Sequence, residues 1–558
     1  MYKKIFQTFD LLTDSKRFFC LQSVNTNSIN YYDANCQSMY SIDQNVVEFW
    51  QENNSEKLKE YLRSIPLEKV TAILNFCNQI NSKKEDFVAD LNYSKANVMI
   101  NTSSRCNLNC VYCYRDKNPS KIISQKQIKD MLNFAVKQYK PDASEVSISY
   151  AMTSESSLDL ELMKSFAVEY CNFESYFFTE EDFYDSNTEE LKKLLKRVLV
   201  DRYPEEKFSD IEDGVIEFLN DLLKRRNLYE LLEMSDFMFE PAALGDLRKR
   251  SEFIGWKYIR INRWALDIKF DRYIKKKVVP YIGFWFMSNG TNNSKDYMDF
   301  IKGVGINPFW ISIDGPKDVH DNARKYNNGN ASYFDVVKTI KVMQKNGINI
   351  KTTSVLTNYF PKPLDVALHL SKLGIDEIVM TPIRPGNALS FDENSIEELI
   401  KGYDAVFEKF ENDVIRDDFS LIHKLREDLC LAPLFTFISR TKLIKRCDFD
   451  DQVVINQDGK LYPCLYFVDN PEFDYGNIKD GFNWRKVSHK ITVNDREPCK
   501  DCWCRYLCGG TCFYGAYKTT GNHKKIDPIE CKLKKYLCER NLKFLVFLKE
   551  HNISLGKL

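Results

Sequence analysis

The stretch Asn101–Arg115 reads NTSSRCNLNCVYCYR and governs how the rest of the sequence is interpreted. It follows a short apolar run that predicts a β-strand, and it places Cys106, Cys110 and Cys113 in C-x3-C-x2-C spacing. A loop this tight aims three thiolates at one point and offers no fourth. Three thiolates on a four-iron, four-sulfur cluster leave one iron without a protein ligand, whereas electron-transfer clusters normally have four cysteine ligands. The loop therefore predicts a cluster with one iron open to a small molecule.

Strands alternate with amphipathic helices after this loop. Helices are predicted over Ser124–Tyr139 and Leu158–Tyr170, with a strand over Glu145–Ala151 between them. Later strands are predicted over Tyr281–Met287, Phe309–Ile313, Ile348–Leu356 and Glu377–Thr381, and later helices over Lys295–Gly303, Tyr333–Asn346 and Leu364–Leu373. Repeated βα units predict an α/β fold with a parallel sheet, and six units suit a partial barrel. Such sheets bind ligands at the carboxyl ends of their strands, which is where the cysteine loop lies.

The barrel pattern covers two separate parts of the chain. Residues 93–171 and 281–390 form the predicted partial parallel (β/α)6 barrel, and residues 172–280 interrupt it as a mainly helical, charge-rich insertion. This insertion is a subdomain that packs on the barrel or, alternatively, a lid or substrate-docking element. Residues 391–445 are predicted to be a helical linker, and residues 446–545 a cysteine-rich domain.

The cysteine loop resembles the radical S-adenosyl-L-methionine (SAM) superfamily, in which an aromatic residue, here Tyr112, precedes the last cysteine. The resemblance implies a partial barrel of radical SAM type, with Cys106, Cys110 and Cys113 as catalytic iron ligands and Tyr112 at the cofactor. The open iron then binds the methionyl amino and carboxylate groups of SAM. One electron cleaves the sulfonium to methionine and a 5′-deoxyadenosyl radical, which abstracts a substrate hydrogen. The cofactor carries this chemistry, and the protein positions it.

Two further segments resemble, or stand in the place of, motifs that the family has after its second and third strands. MSNGT, which contains Asn289, resembles the TNGT of the family at the end of the third strand. After the second strand the family usually has GGEP, whose backbone and Glu hold the SAM amino group, whereas this chain has TSES. Glu155 keeps the carboxylate, but both glycines are replaced, by Thr153 and Ser154. Because glycine allows close backbone approach, these two residues adopt ordinary dihedrals or the pocket is altered.

A third segment points to a peptide-modifying branch of the family. WISIDGPKDVHDNAR, residues 310–324, resembles the S-x-DGP-x3-HD-x2-R stretch after the fourth strand of that branch. By this match Ser312 and Arg324 hydrogen-bond the SAM carboxylate, while Asp314 orders the turn. The alternative for Arg324 is an ordinary solvated helix residue.

The second half of the cysteine pattern lies near the C-terminus. A turn at Asp458-Gly459 predicts a hairpin that brings Cys447 and Cys464 together. The motif C-x2-C-x5-C-x3-C and one later cysteine follow, and the whole series resembles the SPASM domain of radical enzymes that mature ribosomal peptides. The implied ligands of one auxiliary four-iron cluster are Cys499, Cys502, Cys508 and Cys531, and those of the other are Cys447, Cys464 and Cys512.

The second auxiliary cluster has one ligand fewer than its relatives. Some relatives have a cysteine six residues before the Cys447 equivalent, but Thr441 occupies that position here. The cluster therefore has an open iron, or Cys430 reaches it from the preceding helix. Two further cysteines, Cys504 and Cys538, are interpreted as spectators.

The composition is that of an ordinary globular protein, and its balanced charge gives no reason to expect a polyanionic partner. Among 558 residues, Lys+Arg and Asp+Glu are both 79, so there is no global attraction to nucleic acid or an anionic membrane. The longest apolar runs are far shorter than the roughly 20 residues of a membrane-spanning helix. The first residues lack the apolar core of a signal peptide. We expect a cytoplasmic protein, whose 17 cysteines are not disulfides.

Residues 1–92 are predicted to be a small N-terminal α+β domain. Short strands are predicted over Phe18–Gln22, Ile29–Tyr32 and Met39–Ile42, and helices over Val46–Gln51, Leu58–Arg63 and Leu67–Ile80. This order resembles the small winged-helix domain that captures a leader peptide as an added strand in peptide maturases. The alternative is an extension that only packs on the barrel.

The function predicted from these features is maturation of a ribosomally made precursor peptide by a radical SAM enzyme. We expect a cysteine-containing peptide that receives a thioether or another crosslink, and an electron donor such as flavodoxin or ferredoxin. The alternative enzyme is an anaerobic sulfatase maturase, which oxidises a Ser or Cys side chain. Those maturases have an Asp base at the position of Leu465, and Asp469 is four positions away. A non-enzymatic alternative is a zinc-stabilised binding protein, although the first loop has no fourth local zinc ligand.

Overall fold

The structure is a computed structural model that describes most of the chain. The described ranges are 17–22, 28–34, 37–81, 95–114, 122–140, 145–150, 154–178, 259–262, 281–304, 308–484 and 491–558, with a few single positions besides. Most of the insertion and Thr153 lie outside the described residues, so the predicted helices of the insertion stay a prediction. The described ends of the insertion are two strands that pair with each other.

The N-terminal part contains three strands followed by three helices, in the predicted order. They are β1 (Phe18–Gln22), β2 (Ser28–Asp33), β3 (Ser38–Asp43), α1 (Gln44–Gln51), α2 (Ser55–Ser64) and α3 (Leu67–Asn81). The strands form an antiparallel sheet in the order β1-β2-β3. Asp43 and Asn54 cap α1 and α2 because each side chain accepts a hydrogen bond from the first turn. Val46, Val47 and Leu58 belong to a separate small core.

The next part of the chain provides the strands of the main sheet. These strands and the short pair at the ends of the insertion are β4 (Lys95–Ile100), β5 (Glu145–Tyr150), β6 (Ser175–Phe178), β7 (Ile259–Asn262), β8 (Tyr281–Ser288), β9 (Phe309–Ser312), β10 (Ile350–Leu356) and β11 (Glu377–Pro382). The intervening helices are α4 (Gln125–Asn133), α5 (Leu160–Glu174), α6 (Lys295–Val304), α7 (Lys317–Ala323), α8 (Tyr333–Lys345) and α9 (Pro363–Lys372).

Six strands of the main sheet are neighbours in the order β4-β5-β8-β9-β10-β11. All five pairings between them are parallel, as successive βα units require. Alternate residues of β4, namely Ala96, Val98 and Ile100, are fully buried against the helix layer. The predicted α/β fold with a (β/α)6 sheet is therefore confirmed.

The C-terminal part continues the same sheet. It contains α10 (Ser395–Ile415), α11 (Ser420–Lys424), α12 (Ala432–Ile438), β12 (Gln452–Ile455), β13 (Leu461–Tyr462), β14 (Gly476–Asn477), β15 (Gly481–Phe482), α13 (Arg505–Cys508), α14 (Phe513–Thr520) and α15 (Pro528–Glu550). Strands β12 and β13 form the predicted hairpin around Gly459, which has a positive φ of 78°. In addition, β12 pairs in parallel with β4, which no sequence pattern predicted. The cysteine-rich part is thereby attached directly to the first barrel strand.

The N-terminal sheet contacts the C-terminal part next to its cysteines. Phe19 stacks on Trp503 with ring centroids 3.8 Å apart, and Gln37 Nε2 donates to the Thr441 carbonyl at 2.8 Å. Trp503 lies between Cys502 and Cys504 in sequence, so the two parts meet beside one predicted cluster. In the described part of the chain no helix has the length and apolarity needed to cross a membrane.

Candidate active site

The loops at the carboxyl ends of the barrel strands surround one cavity of about 450 Å³. All eight residues that the sequence assigned to the catalytic cluster and to SAM line this cavity. They are Cys106, Cys110, Tyr112, Cys113, Glu155, Asn289, Ser312 and Arg324. The fold therefore brings together side chains from the loops after β4, β5, β8 and β9.

The cysteine loop is held by the segment that follows α7. The backbone N of Asn109 donates to the Lys325 carbonyl at 2.7 Å, and the backbone N of Val111 donates to the Ala323 carbonyl at 3.0 Å. The side chain of Asn327 also donates to the Cys106 carbonyl at 3.0 Å. Because all three bonds use backbone atoms of the loop, they orient the loop without occupying the thiols.

Glu155 is buried, and its carboxylate is almost fully used by protein donors. Its Oε1 accepts from the Ser157 backbone N at 3.1 Å, the Ser157 hydroxyl at 2.6 Å and the Ser288 hydroxyl at 2.9 Å. Its Oε2 accepts from the Asn289 backbone N at 2.6 Å. Burial raises the pKa of Glu155, and these hydrogen bonds oppose the rise. Oε2 accepts only one of these four bonds, so it is the oxygen that can accept a further donor.

The TSES departure leaves the backbone at Ser154 ordinary. Ser154 lines the cavity and is not among the residues with positive φ. The backbone N of Glu155 donates to the Arg105 carbonyl at 2.8 Å, which ties this turn to the cysteine loop. The first of the two alternatives, ordinary dihedrals, therefore holds for Ser154.

Asn289 connects Glu155 with the first cysteine. Its Nδ2 lies 3.9 Å from the Cys106 Sγ and donates to Asn107 Oδ1 at 2.7 Å. Its Oδ1 accepts from the Thr291 backbone N at 3.0 Å and from the Thr291 hydroxyl at 2.8 Å. Asn289 therefore orients a thiol of the loop as well as a wall of the cavity.

Asp314 does more than order a turn, because it connects three elements of the site. Its Oδ2 accepts from Arg324 Nε at 3.0 Å and from the Tyr112 hydroxyl, and its Oδ1 accepts from the Val355 backbone N at 3.0 Å. The Arg324 guanidinium lies 5.3 Å from the centroid of the Tyr112 ring. Burial acts to raise the pKa of Asp314, but the charge of Arg324 holds this pKa below its ordinary value. The alternative that Arg324 is a solvated helix residue is wrong, since only 7% of it is exposed.

The seven matched C-terminal cysteines divide into two groups in space. Cys464 interacts electrostatically with Cys447 and Cys512, and these three form the first group. Cys531 interacts in the same way with Cys499, Cys502 and Cys508, and these four form the second. The two ligand sets that the resemblance implied thus lie in different groups, but Cys504 and Cys538 interact with the second group in the same way, so the ligand assignment stays a prediction.

The thiols of both groups are wholly or partly buried. Within the described residues, no three His, Cys, Asp or Glu side chains converge as the ligands of one metal ion do. Burial raises the pKa of Cys447 to about 12 and that of Cys508 to about 11. Both thiols would therefore be protonated without a metal.

The three unmatched cysteines of the C-terminal half are all buried. Cys430 packs in the main core, beside Asp428, whereas Cys447 packs against a separate aromatic cluster. This placement does not favour Cys430 as a fourth ligand. Cys504 lies beside the four-cysteine group, with its Sγ 3.5 Å from that of Cys502, and it also interacts with Cys538.

The far wall of the cavity was missed by the sequence analysis, apart from Leu465. Arg384 and Asn387 follow β11, and Tyr466 and Tyr514 lie two residues after Cys464 and Cys512. The ring of Tyr466 contacts those of Tyr114 and Tyr514 in tilted arrangements, with centroids 4.3 Å and 4.8 Å away. A charged residue directly after the last barrel strand was the available signal for Arg384, because ligands bind at that end of the strands.

Comparisons with known proteins agree with this geometry. No protein-family profile matches the sequence. A cysteine-type anaerobic sulfatase-maturating enzyme of Clostridium novyi (strain NT) is 24% identical over 300 residues, which cover 50% of this chain and 77% of that protein. A serine-type anaerobic sulfatase-maturating enzyme of Bacteroides thetaiotaomicron is 21% identical over 271 residues, which cover 42% of this chain and 62% of that protein.

A solved structure shares the fold over most of this chain. Native anSMEcpe with bound AdoMet and Cp18Cys peptide matches with a TM-score of 0.50 and 15% identity, covering 82% of this chain and 99% of that one. The class predicted from the cysteine motif is confirmed by these similarities: the chain resembles radical SAM maturases and is an enzyme of that type. AdoMet in the matched structure is the cofactor that the sequence predicted.

Proposed function

We propose that this enzyme uses SAM and three four-iron clusters to modify a ribosomally made precursor peptide that contains cysteine. The modification is a crosslink, most simply a thioether between the cysteine sulfur and a carbon. The observation that carries the proposal is that one cavity borders both the catalytic cysteine loop and the surroundings of the three-cysteine C-terminal group. Cys106, Cys110 and Cys113 line it on one side, and Tyr466 and Tyr514 line it on the other.

On the catalytic side, the described residues match the polar groups of a methionyl moiety. Oε2 of Glu155 has room for one donor and would accept from the amino group of SAM. Ser312 and Arg324 would bind the carboxylate, with Arg324 held in place by Asp314. When bound, the cofactor and its cluster supply a 5′-deoxyadenosyl radical that abstracts a substrate hydrogen. The protein positions the substrate carbon and keeps water from the radical.

On the C-terminal side, the described lining of the cavity has no proton-accepting side chain in the place of the base that a sulfatase maturase requires. Leu465 lines the cavity, and a leucine side chain cannot accept a proton. Asp469 does not line it, and its carboxylate accepts from Asn456 at 3.2 Å. Among the described residues that line the cavity, Glu155 is the only carboxylate, and it is buried behind four hydrogen bonds. A cluster with one open iron at Cys447, Cys464 and Cys512 would instead hold a substrate thiolate and accept the surplus electron.

The second candidate function is anaerobic sulfatase maturation. It is favoured by the names of the two curated relatives, a cysteine-type and a serine-type anaerobic sulfatase-maturating enzyme. This function would convert a Ser or Cys side chain to formylglycine. It requires a base close to the substrate hydroxyl or thiol, and Leu465 is the observation against it.

The substrate is proposed to be a peptide on two grounds. A matched structure contains a peptide together with AdoMet. In the described N-terminal sheet, β3 pairs with β2 on one side only, which leaves an edge for an added strand. We propose that this domain binds the leader of the precursor while its core enters the cavity. An external donor such as flavodoxin or ferredoxin would supply the electron that starts each reaction.

The proposal is tested by coexpression with any short cysteine-containing open reading frame found adjacent to the gene, followed by mass spectrometry of the peptides. The expected product has lost two hydrogens, and one cysteine can no longer be alkylated. Formylglycine in a peptide derived from a sulfatase would contradict the crosslink and support the second function.

A matched variant pair separates the two functions further. Leu465→Asp restores the base, so it should lower crosslinking and allow oxidation of the substrate side chain. Leu465→Ala changes the size of the side chain without adding a base, and it serves as the control. If Leu465→Asp and Cys512→Ala both leave crosslinking unchanged, the C-terminal group plays no part in the reaction.

A further inference from the structure

Arg384 is a cationic side chain of the cavity to which the resemblance assigns no role. It lies two residues after the end of β11, at the same edge of the sheet as the catalytic loop. Its side chain is 30% exposed and lines the cavity together with Tyr466. Its charge interacts with Cys512 and Cys447, so it lies beside the three-cysteine group.

Among the described residues, the ion pair of Arg384 is a long one, and its partner is shared with a lysine. Its Nη1 lies 3.7 Å from Glu530 Oε1. Glu530 already accepts from Lys534 Nζ at 2.7 Å and from the Cys512 backbone N at 2.9 Å. Burial acts to raise the pKa of Glu530, but Lys534 and Arg384 lower this pKa to about 2. Since Lys534 already balances the carboxylate, Arg384 keeps positive charge available to another anion.

The Arg384 guanidinium makes a hydrogen bond with the Tyr466 side chain, but one of its donors has no acceptor among the described residues. Its Nε is buried and has no hydrogen-bond partner among the described residues. A buried donor without an acceptor is costly, and a guanidinium stays charged in proteins. The side chain can therefore donate a further hydrogen bond to an anion that enters the cavity. The corresponding Nε of Arg324, in contrast, is occupied by Asp314.

We propose that Arg384 is the specificity-determining residue for the substrate, because it binds the cysteine thiolate of the peptide beside Cys447, Cys464 and Cys512. This inference rests on the proposed function, in which the same thiolate occupies the open iron. The substrate thiol releases its proton to solvent on binding, and the guanidinium favours the thiolate over the neutral thiol. A serine hydroxyl stays neutral at pH 7, so it gains nothing from this charge.

Binding of a small probe tests the role of Arg384 without turnover. The SAM-loaded, unreduced holoenzyme is dialysed against radiolabelled N-acetylcysteine amide, with N-acetylserine amide as the neutral comparison. SAM occupies the catalytic iron, and the absence of reductant prevents cleavage. Arg384→Gln should raise the dissociation constant of the cysteine probe about tenfold to hundredfold, as expected for loss of a charged hydrogen bond. Arg384→Lys should raise this dissociation constant less, because lysine keeps the positive charge but lacks the several N–H donors of the planar guanidinium.

Lys518→Gln is the matched control. Its Nζ lies 5.6 Å from the centroid of the Tyr514 ring, but the exposed side chain does not line the cavity. This variant should bind the probe as tightly as the wild type does. Equal binding would show that removing a positive charge outside the cavity has little effect. Iron is counted in every variant, and Arg384→Gln should keep the wild-type content.

Four outcomes would overturn the inference, and they differ in what else they affect. If the wild type does not bind the cysteine probe, the thiolate site of the proposed function is absent as well. If wild type and Arg384→Gln bind it equally, only the role of Arg384 is wrong. If Arg384→Gln weakens N-acetylaspartate amide but not the cysteine probe, Arg384 is a carboxylate site. If Arg384→Gln loses iron that Arg384→Lys retains, the residue serves the cluster rather than the substrate.

Discussion

The catalytic cysteine triplet and the C-terminal triplet lie near the same cavity but are built in different ways. Cys106, Cys110 and Cys113 come from one loop, whose backbone is pinned by the segment after α7. Cys447 and Cys464 lie on either side of the β12–β13 hairpin, whereas Cys512 comes from a more distant segment that only the folded chain brings to them. A local loop sets the first geometry through sequence spacing, whereas packing of the C-terminal part against β4 sets the second.

The two triplets also differ in the cation beside them. Arg324 is fixed by Asp314 at 3.0 Å and faces the Tyr112 ring. Arg384 shares Glu530 with Lys534, and its Nε has no hydrogen-bond partner in the described part of the chain. The first arginine is thus preorganised by the protein for a cofactor that is always the same. The second keeps a donor for a ligand that enters with the substrate.

The largest effect is expected from removing the catalytic triplet. Replacing Cys106, Cys110 and Cys113 by Ala should abolish SAM cleavage and remove about four of roughly twelve irons per chain. The C-terminal clusters should remain, because their cysteines lie in separate groups. Iron and sulfide analysis and the yield of 5′-deoxyadenosine measure both effects. If the triple variant still produced 5′-deoxyadenosine, this loop would not be the catalytic site.

Removing one member of the C-terminal triplet should separate SAM cleavage from crosslinking. Cys464→Ala should lose most of the crosslinked peptide, because its cluster can no longer hold a substrate thiolate. Formation of 5′-deoxyadenosine should continue, since the catalytic loop makes its contacts elsewhere. Both products are quantified by liquid chromatography and mass spectrometry. If Cys464→Ala formed as much crosslinked peptide as the wild type, the C-terminal triplet would not be needed for the crosslinking step that follows SAM cleavage.

A smaller effect is expected at Glu155, on the catalytic side of the cavity. Glu155→Gln replaces a carboxylate oxygen by an NH2 group that must face protein donors such as the Asn289 backbone N. Loss of charged hydrogen bonds should weaken SAM binding about tenfold to hundredfold. Calorimetric titration of the unreduced enzyme with SAM measures this change. Glu161→Gln, an exposed glutamate of α5 paired with Lys164, should bind SAM normally.

The smallest effect is expected from the cysteines that match neither ligand set. Cys504→Ala should lower the apparent free energy of unfolding by about 1–2 kcal/mol, as for other small losses from a packed core. Its iron content should stay at the wild-type value, although the thiol lies 3.5 Å from that of Cys502. Cys538→Ala should behave in the same way. Loss of about four irons from Cys504→Ala would make Cys504 a ligand instead of a neighbour.

The sequence predicted those strands, loops and turns that depend only on residues close together in the chain. Strand and helix patterns depend on residues within one turn or one pleat, and the strands β1, β2 and β3 lie at their predicted places. The C-x3-C-x2-C spacing locates the catalytic loop because its three thiols share one short segment. Asp458-Gly459 predicted the β12–β13 hairpin for the same reason, since a tight turn needs residues that tolerate positive φ.

The sequence by itself thus determined the N-terminal strands, the strands of the barrel and the catalytic loop, while the division of the other cysteines stays a prediction from the resemblance. Only the tertiary structure decided that β12 lies beside β4 and that Arg384 joins Tyr466 and Tyr514 in the wall of the catalytic cavity. The tertiary structure also decided that Cys430 is buried in the main core, whereas Cys447 packs against a separate aromatic cluster. The physical reason is that these contacts join segments far apart in the chain. Such contacts are selected by the packing of whole elements, and no local period or spacing records that packing.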